Sequence, residues 1–277
     1  MKIYYSNVAS IKLPPDFPKI GILVSYFGIK SIFCEPWCDS LFLDSGAFSA
    51  FNQNVDIDLK KFIEFVQANK VKFEVIASLD DITSYKKSIE NFRIMKAEGL
   101  NPIPCFHIGE PDWVLEEYIE SSSYIALGGI AKQNKITRKI WLDRIFTKYP
   151  DQTKVGFHGF GIQARDIIQL YPWKSVDASS CHVMARFGGI CSPWGDFKIN
   201  KGVNAKDLQW VSEADESVIR KWSQSLDYPI NYELACQPTS EGTIERCKIN
   251  ILYYERLAKE TKSFNYIPKK KARFGMI

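Results

Sequence analysis

Short apolar runs alternate with stretches of helical period along most of the chain. The runs Ile20–Ser25, Leu41–Leu43, Phe73–Ser78, Ile103–His107, Tyr124–Leu127, Lys154–Phe157 and Lys174–Val176 have strand length and polar or glycine borders, predicting about seven strands. Between them, Leu59, Phe62, Ile63 and Val66 recur at the spacing of one helix face. Tyr85, Ile89, Phe92 and Met95 do the same, and Gly99 then stands where a helix C-cap belongs. Further amphipathic stretches follow at Trp113–Ile119, Ile140–Tyr149 and Ala164–Leu170. This alternation predicts βα units on a parallel sheet, an α/β fold.

Polar and glycine residues gather where each strand should end: Asp44-Ser45-Gly46, Asp80-Asp81, His107-Ile108-Gly109, Gly128-Gly129, His158-Gly159 and Asp177. In an α/β barrel all those ends face one mouth, so residues more than a hundred positions apart can converge on one site. After Asp177 the pattern changes. Arg186 to Gly202 reads as a long loop or hairpin excursion. A helix is expected near Asp215–Ser225 and another over Ile244–Lys262, with Ile244, Cys247, Ile251, Tyr254 and Leu257 on one face. The basic tail Pro268–Arg273 reads as a solvated terminus, with phosphate binding as the alternative.

Composition narrows the class. The 277 residues are 45% hydrophobic and 25% charged, a globular balance that excludes disordered or fibrous chains. Thirty-six Lys and Arg against thirty-two Asp and Glu leave a net charge of +4, too slight to argue for nucleic-acid binding by charge alone. No apolar run approaches the roughly 18 residues of a membrane span, and the N-terminus lacks a signal-peptide pattern, so a soluble, cytoplasmic protein without a membrane partner is expected (host cytoplasm, were the source viral). Seven cysteines, at 34, 38, 105, 181, 191, 236 and 247, are read as free thiols. Cys34 and Cys38 are near zinc spacing but lack a second pair, and Cys181-His182 with Cys191 is weaker, so neither metal nor cofactor is expected. P-loop, Rossmann, GxSxG and HExxH patterns are absent.

Several motifs could carry chemistry. LDSGAFSAF (43–51) sets Asp44 at a strand end before a small-residue turn, either as an acid/base group or as a turn cap. In SLDD (78–81), one acid is read as an N-cap for the helix from Ser84 and Asp80 as the group facing a pocket. His107 in CFHIGEP is either a site residue or a structurally satisfied histidine. Gly128-Gly129 offers backbone N–H groups to a flat heterocycle, or is simply a tight turn. Asp177 in SVDASS could attack a sugar anomeric carbon, with capping as the competing role.

Together these motifs resemble the tRNA-guanine transglycosylase superfamily, and more closely its phage-type DNA branch. The family's DSGGFQ resembles Asp44-Ser45-Gly46-Ala47-Phe48-Ser49, the acid after its next strand resembles Asp80, and its GGLA resembles Gly128-Gly129-Ile130-Ala131. A VG-containing strand is similar to Val155–Gly161, and the FD nucleophile motif resembles Val176-Asp177. The five lie in family order, over roughly residues 41 to 202. The resemblance implies a single TIM-like (β/α)8 barrel domain over 1–277, irregularity admitted, with its core at about 20–210 and a C-terminal helical extension at about 211–277. It implies exchange of guanine in a polynucleotide for a 7-deazaguanine such as preQ0. Asp177 would be the nucleophile, Asp44 the general acid/base, and Asp80, Gly128 and Gly129 base ligands. Ser45 and Phe48 are carried into the base site with them. His107 stands where the tRNA enzymes usually have a glutamine. Those enzymes carry a C-terminal CxCxxC and a following His that bind zinc; here only Cys236 and Cys247 occupy the region, and Asn250 falls at or beside the His position. That departure favours DNA as partner over tRNA, and a catalytically silent nucleic-acid-binding barrel is the reading from another class. Phe48, Phe106 and Trp194 are candidates for stacking on an extruded base.

Overall fold

The structure is a computed structural model that describes residues 1–8, 11–29, 35–130, 133–200, 209–210 and 212–261. Cys34, Ala131, Gly202, Lys262 and the basic tail lie outside the described residues.

Eight parallel strands form one curled sheet: β1 (Lys2–Tyr5), β2 (Ile20–Ser25), β3 (Cys38–Asp44), β4 (Val75–Ile76), β5 (Cys105–His107), β6 (Tyr124–Gly128), β7 (Gly156–Gly159) and β8 (Ser175–Ala178). Their order is β4-β3-β2-β1-β8-β7-β6-β5. The two edges, β4 and β5, are joined among the described residues only by an isolated parallel bridge between Ala77 and Ile103, so the sheet is a half-barrel, consistent with a TIM-like fold but not the closed barrel expected from the sequence. The sequence places the core from about residue 20 and counts seven strands. The eighth is Lys2–Tyr5, paired between β2 and β8.

Strand period explains what lies on each side. Alternate residues of each strand point to opposite faces. Tyr4, Phe42, Val75, Ala77, Ile103, Cys105 and Ala126 form a cluster inside the curl. Their neighbours Ile3, Tyr5, Leu41, Leu43, Phe106, Ile125, Leu127 and Val176 pack outwards against helices. The interior is aromatic and tight: the Phe42 ring centroid lies 5.2 Å from Tyr4 and 4.5 Å from His158.

The outer layer comprises α1 (Ala47–Asn52), α2 (Leu59–Asn69), α3 (Tyr85–Ala97), α4 (Asp112–Ser121), α5 (Lys135–Lys148), α6 (Arg165–Leu170) and α7 (Ser180–Arg186). Their starts are chemically marked: Asp58, Ser84 and Asn134 accept hydrogen bonds from the N–H groups of Lys61, Lys87 and Thr137. Ser84 is itself the cap of α3. Asp81 instead accepts from Thr83 and pairs with Lys87, which leaves Asp80 to turn elsewhere.

The excursion after Asp177 contains an antiparallel hairpin, β9 (Gly189–Ser192) and β10 (Gly195–Lys198), with β11 (Gln209–Trp210) parallel to β10. Helices α8 (Glu213–Gln224), α9 (Tyr232–Ala235) and α10 (Ser240–Thr261) follow. Buried Arg246 of α10 donates to the carbonyls of Ala185, Ala235 and Gln237. Asn250 accepts from the Cys191 N–H at 2.7 Å and donates to the Cys181 carbonyl at 3.0 Å. Where the resembled family has a zinc-binding histidine at or beside this position, Asn250 is a strut between α10, α7 and β9. Among the described residues, no helix is long and apolar enough to cross a membrane.

Candidate active site

Because the strands are parallel, their C-terminal ends share one opening, and the inward register decides which side chains reach it. Counting two residues on from Phe42, Cys105, Ala126 and Ser175 gives Asp44, His107, Gly128 and Asp177. The side chains of Asp44, His107 and Asp177 therefore point into the mouth, and Gly128 has no side chain beside Cys105 and His107.

Asp44 ends β3. Its carboxylate accepts from the Gly46 N–H at 3.1 Å, so the turn-capping role exists alongside any chemical one. Gly46 has φ +78°, and a Cβ there would collide with Ser25 and Phe27. Only glycine lets the chain turn this tightly against the end of β2. Ser45 donates its hydroxyl to Asp80 at 3.1 Å, tying the ends of β3 and β4 together. Burial raises Asp44 to about 7, and the carboxylates of Asp80 and Asp177 push it in the same direction. Asp44 is thus close enough to the other two acids to feel both charges.

Asp177, 8% exposed, accepts from the Gly161 N–H at 2.5 Å; burial nevertheless raises it to about 6. Beneath it runs a polar chain through the interior. Tyr124 Oη lies 2.5 Å from Ser175 Oγ, Ser175 Oγ lies 2.6 Å from His158 Nδ1, and His158 Nε2 is 3.8 Å from Asp177 Oδ1. Burial pulls His158 down to about 3, so it is a neutral imidazole. Its Nε2 has no hydrogen-bond partner.

His107 is bracketed by acids. Nε2 is 3.1 Å from Asp80 Oδ2, Nδ1 is 3.3 Å from Glu110 Oε1, and the His107 backbone N–H donates to Glu110 Oε2 at 3.0 Å. Burial alone would disfavour the charged ring. The Cys105 sulfur and the hydrogen bonds to Asp80 and Glu110 outweigh it and raise His107 well above the ordinary imidazole value. Glu110 was quoted within CFHIGEP without a role, yet its carboxylate orients the histidine.

Beside Asp80 opens a groove of about 400 Å³, walled by α1 and the loop before α3, with Phe51, Asp81, Ile82 and Lys87 among its lining. This lies within the roughly 300–1,000 Å³ of small-molecule sites. Asp44, His107 and Asp177 are not on its wall. Phe48 is half exposed on α1, outside the lining of that groove, and Trp194 is exposed at the hairpin turn. Phe106 is not available for stacking on a base: lying between inward-facing Cys105 and His107, it points outwards, is fully buried and stacks on Trp141.

The sequence missed Cys105, Ser175 and Glu110 as members of this site; His158 stands at the end of β7, as expected, and is buried in the interior. Counting back two residues from His107 and Asp177 would have found Cys105 and Ser175. Comparison with protein-family models gives no match, and comparison with the curated proteins gives no match either.

Proposed function

We propose that the chain is a pentosyltransferase of TIM-like (β/α)8 architecture that exchanges guanine in DNA for a free 7-deazaguanine base through a covalent aspartyl-glycosyl intermediate. The observation that carries this reading is the meeting of Asp44, Asp80 and Asp177, from three separate strand ends, in one partly water-excluded mouth. A carboxylate of Asp177 attacks C1′ and the glycosidic bond breaks. Its electrons pass to the base as Asp44, protonated below about pH 7, delivers a proton. Asp44, now ionised, takes the proton from the incoming base, whose nitrogen attacks C1′ and frees Asp177. Asp80, His107 and the backbone of Gly128-Gly129 are the base-edge contacts in this scheme, with Ser45 holding Asp80, and Phe48 half exposed on α1. The target nucleotide must be extruded or unpaired to reach the mouth.

Asn250, engaged as a strut at the position compared with the family's zinc-binding histidine, favours DNA over tRNA. The test is a side-by-side incubation of the protein with labelled preQ0 and either DNA or tRNA. Label entering DNA is the expected result. Label entering only tRNA reassigns the polymer, and label entering neither overturns the reading.

A further inference from the structure

Among the described residues, one set of His, Cys, Asp or Glu side chains brings three donor atoms together: Asp80, Cys105 and His107, all within 4.8 Å of one another. We propose that these three side chains bind a divalent transition-metal ion of the zinc type, with Glu110 as the outer partner that orients the histidine. The proposal goes beyond the base-exchange reading and does not depend on it; with a metal bound, Asp80 and His107 would reach a base only through the metal's open position, in place of the direct contacts of that scheme.

Four observations support it. First, two of the three donor separations are close to those of a coordination shell, and the third is within 4.8 Å. Around a tetrahedral zinc with its usual bond lengths, neighbouring N, O and S donors sit roughly 3.3–3.6 Å apart. Here Cys105 Sγ lies 3.5 Å from His107 Nε2, which lies 3.1 Å from Asp80 Oδ2. Second, His107 Nε2 carries either one proton or one lone pair, yet it faces two electron-rich atoms. A single N–H satisfies one of them, whereas a cation satisfies all three donors together.

Third, the outer arrangement is the one ligating histidines use. Glu110 is fixed by the His107 backbone N–H at 3.0 Å and reaches Nδ1 at 3.3 Å. With one proton held on Nδ1 by that carboxylate, a metal binding at Nε2 displaces the other proton of the charged ring and takes up its lone pair. Fourth, the neighbouring strand leaves room. A Cβ at Gly128 would lie 2.7 Å from Cys105 Sγ and 2.9 Å from His107 Nε2, so any other residue there would crowd the donors.

The donor set selects the metal. Thiolate, imidazole and one carboxylate suit Zn²⁺, whereas Mg²⁺ and Ca²⁺ prefer oxygen ligands throughout. Three protein ligands leave a fourth position for water or a ligand atom, as in open rather than closed zinc sites. Cys105 and His107 supply two ligands from one strand because residues two apart share a face.

The test uses the full chain, loaded with Zn²⁺ and dialysed, for metal content, and titrated with Co²⁺ for its thiolate-to-cobalt absorption band. The expected result is one equivalent of metal per chain, a band that Cys105→Ser abolishes, and binding about 10–100-fold weaker in Glu110→Gln with the band retained. A Zn²⁺-dependent rise in melting temperature, present in the wild type and lost in His107→Gln, guards against misfolding of the cysteine variant. Substoichiometric metal in the wild type overturns the proposal, and so does a cobalt band that survives Cys105→Ser. Metal content and absorption do not depend on activity. A chain that binds zinc and exchanges no base contradicts only the proposed function; one that exchanges bases without retaining zinc contradicts only the metal site.

Discussion

The two ends of the curled sheet treat charge in opposite ways. At the N-terminal end of the strands, Lys2 pairs with Glu74 at 2.7 Å and with Asp39 at 3.4 Å, and Lys174 lies 4.1 Å from the Tyr124 ring centroid. At the C-terminal end, Asp44, Asp80 and Asp177 meet, and among the described residues no Lys or Arg pairs with Asp44 or Asp177. At one end Asp39 and Glu74 stand beside a lysine; at the other Asp44 and Asp177 are buried without one, at a cost in stability. Such a cost is tolerated where the perturbed groups have work to do, and here the mouth is the end that carries strand-end chemistry in α/β barrels.

The sharpest break in this comparison comes from the mouth. Asp177→Ala should lower base exchange by about 10³-fold or more and abolish the covalent adduct. Next, Asp44→Asn should cost about 10²–10⁴-fold, the range of a lost general acid/base. The wild-type rate should follow a bell between pH about 6, where Asp177 ionises, and about 7, where Asp44 loses its proton. Asp44→Asn should remove the alkaline limb.

Stability should titrate in the same window. Asp44 and Asp177 have folded values above the ordinary carboxylate value. Their folded state therefore holds more protons, and their contribution is fully present below pH about 4 and lost as pH rises to about 7. Depressed His158 acts with the opposite sign, since its contribution is present above pH about 6.5 and lost as pH falls towards 3. The quantity to measure is thus the difference in unfolding free energy between wild type and Asp44→Asn at each pH. Relative to the variant, the wild type should lose on the order of 1–4 kcal/mol between pH 4 and 8.

A smaller effect is expected at Gly128→Ala, whose Cβ would press on Cys105 and His107. A loss of about 1–3 kcal/mol by denaturant unfolding is expected. Smallest is Lys2→Met at the opposite end. Its partners are about half exposed, so the change should cost less than about 1 kcal/mol and leave the chemistry untouched.

Much of this contrast was legible in the sequence, because inward and outward residues differ by strand parity. The apolar runs located seven strands and the polar residues ending them, Asp44, Asp80, His107, Gly128 and Asp177 among them. Lys2–Tyr5 escaped notice because a four-residue run with a leading lysine carries little periodic signal. The tertiary sheet makes it a strand by pairing it on both sides. Phe106 is not the stacking candidate the sequence offered, because it sits between two inward-facing strand residues and adjacent strand residues point oppositely. Glu110 was passed over for a different reason. Its role depends on a tight turn after β5 that folds the carboxylate back onto His107, a geometry that residue spacing alone does not specify.

The most direct measurement is the intact mass of the protein after incubation with a guanine-containing DNA oligonucleotide. The account predicts a species heavier by the oligonucleotide less guanine, present in the wild type, absent in Asp177→Ala, and discharged by adding a 7-deazaguanine base. An unshifted wild-type mass under conditions where the base is exchanged, or an adduct that persists in Asp177→Ala, would contradict it.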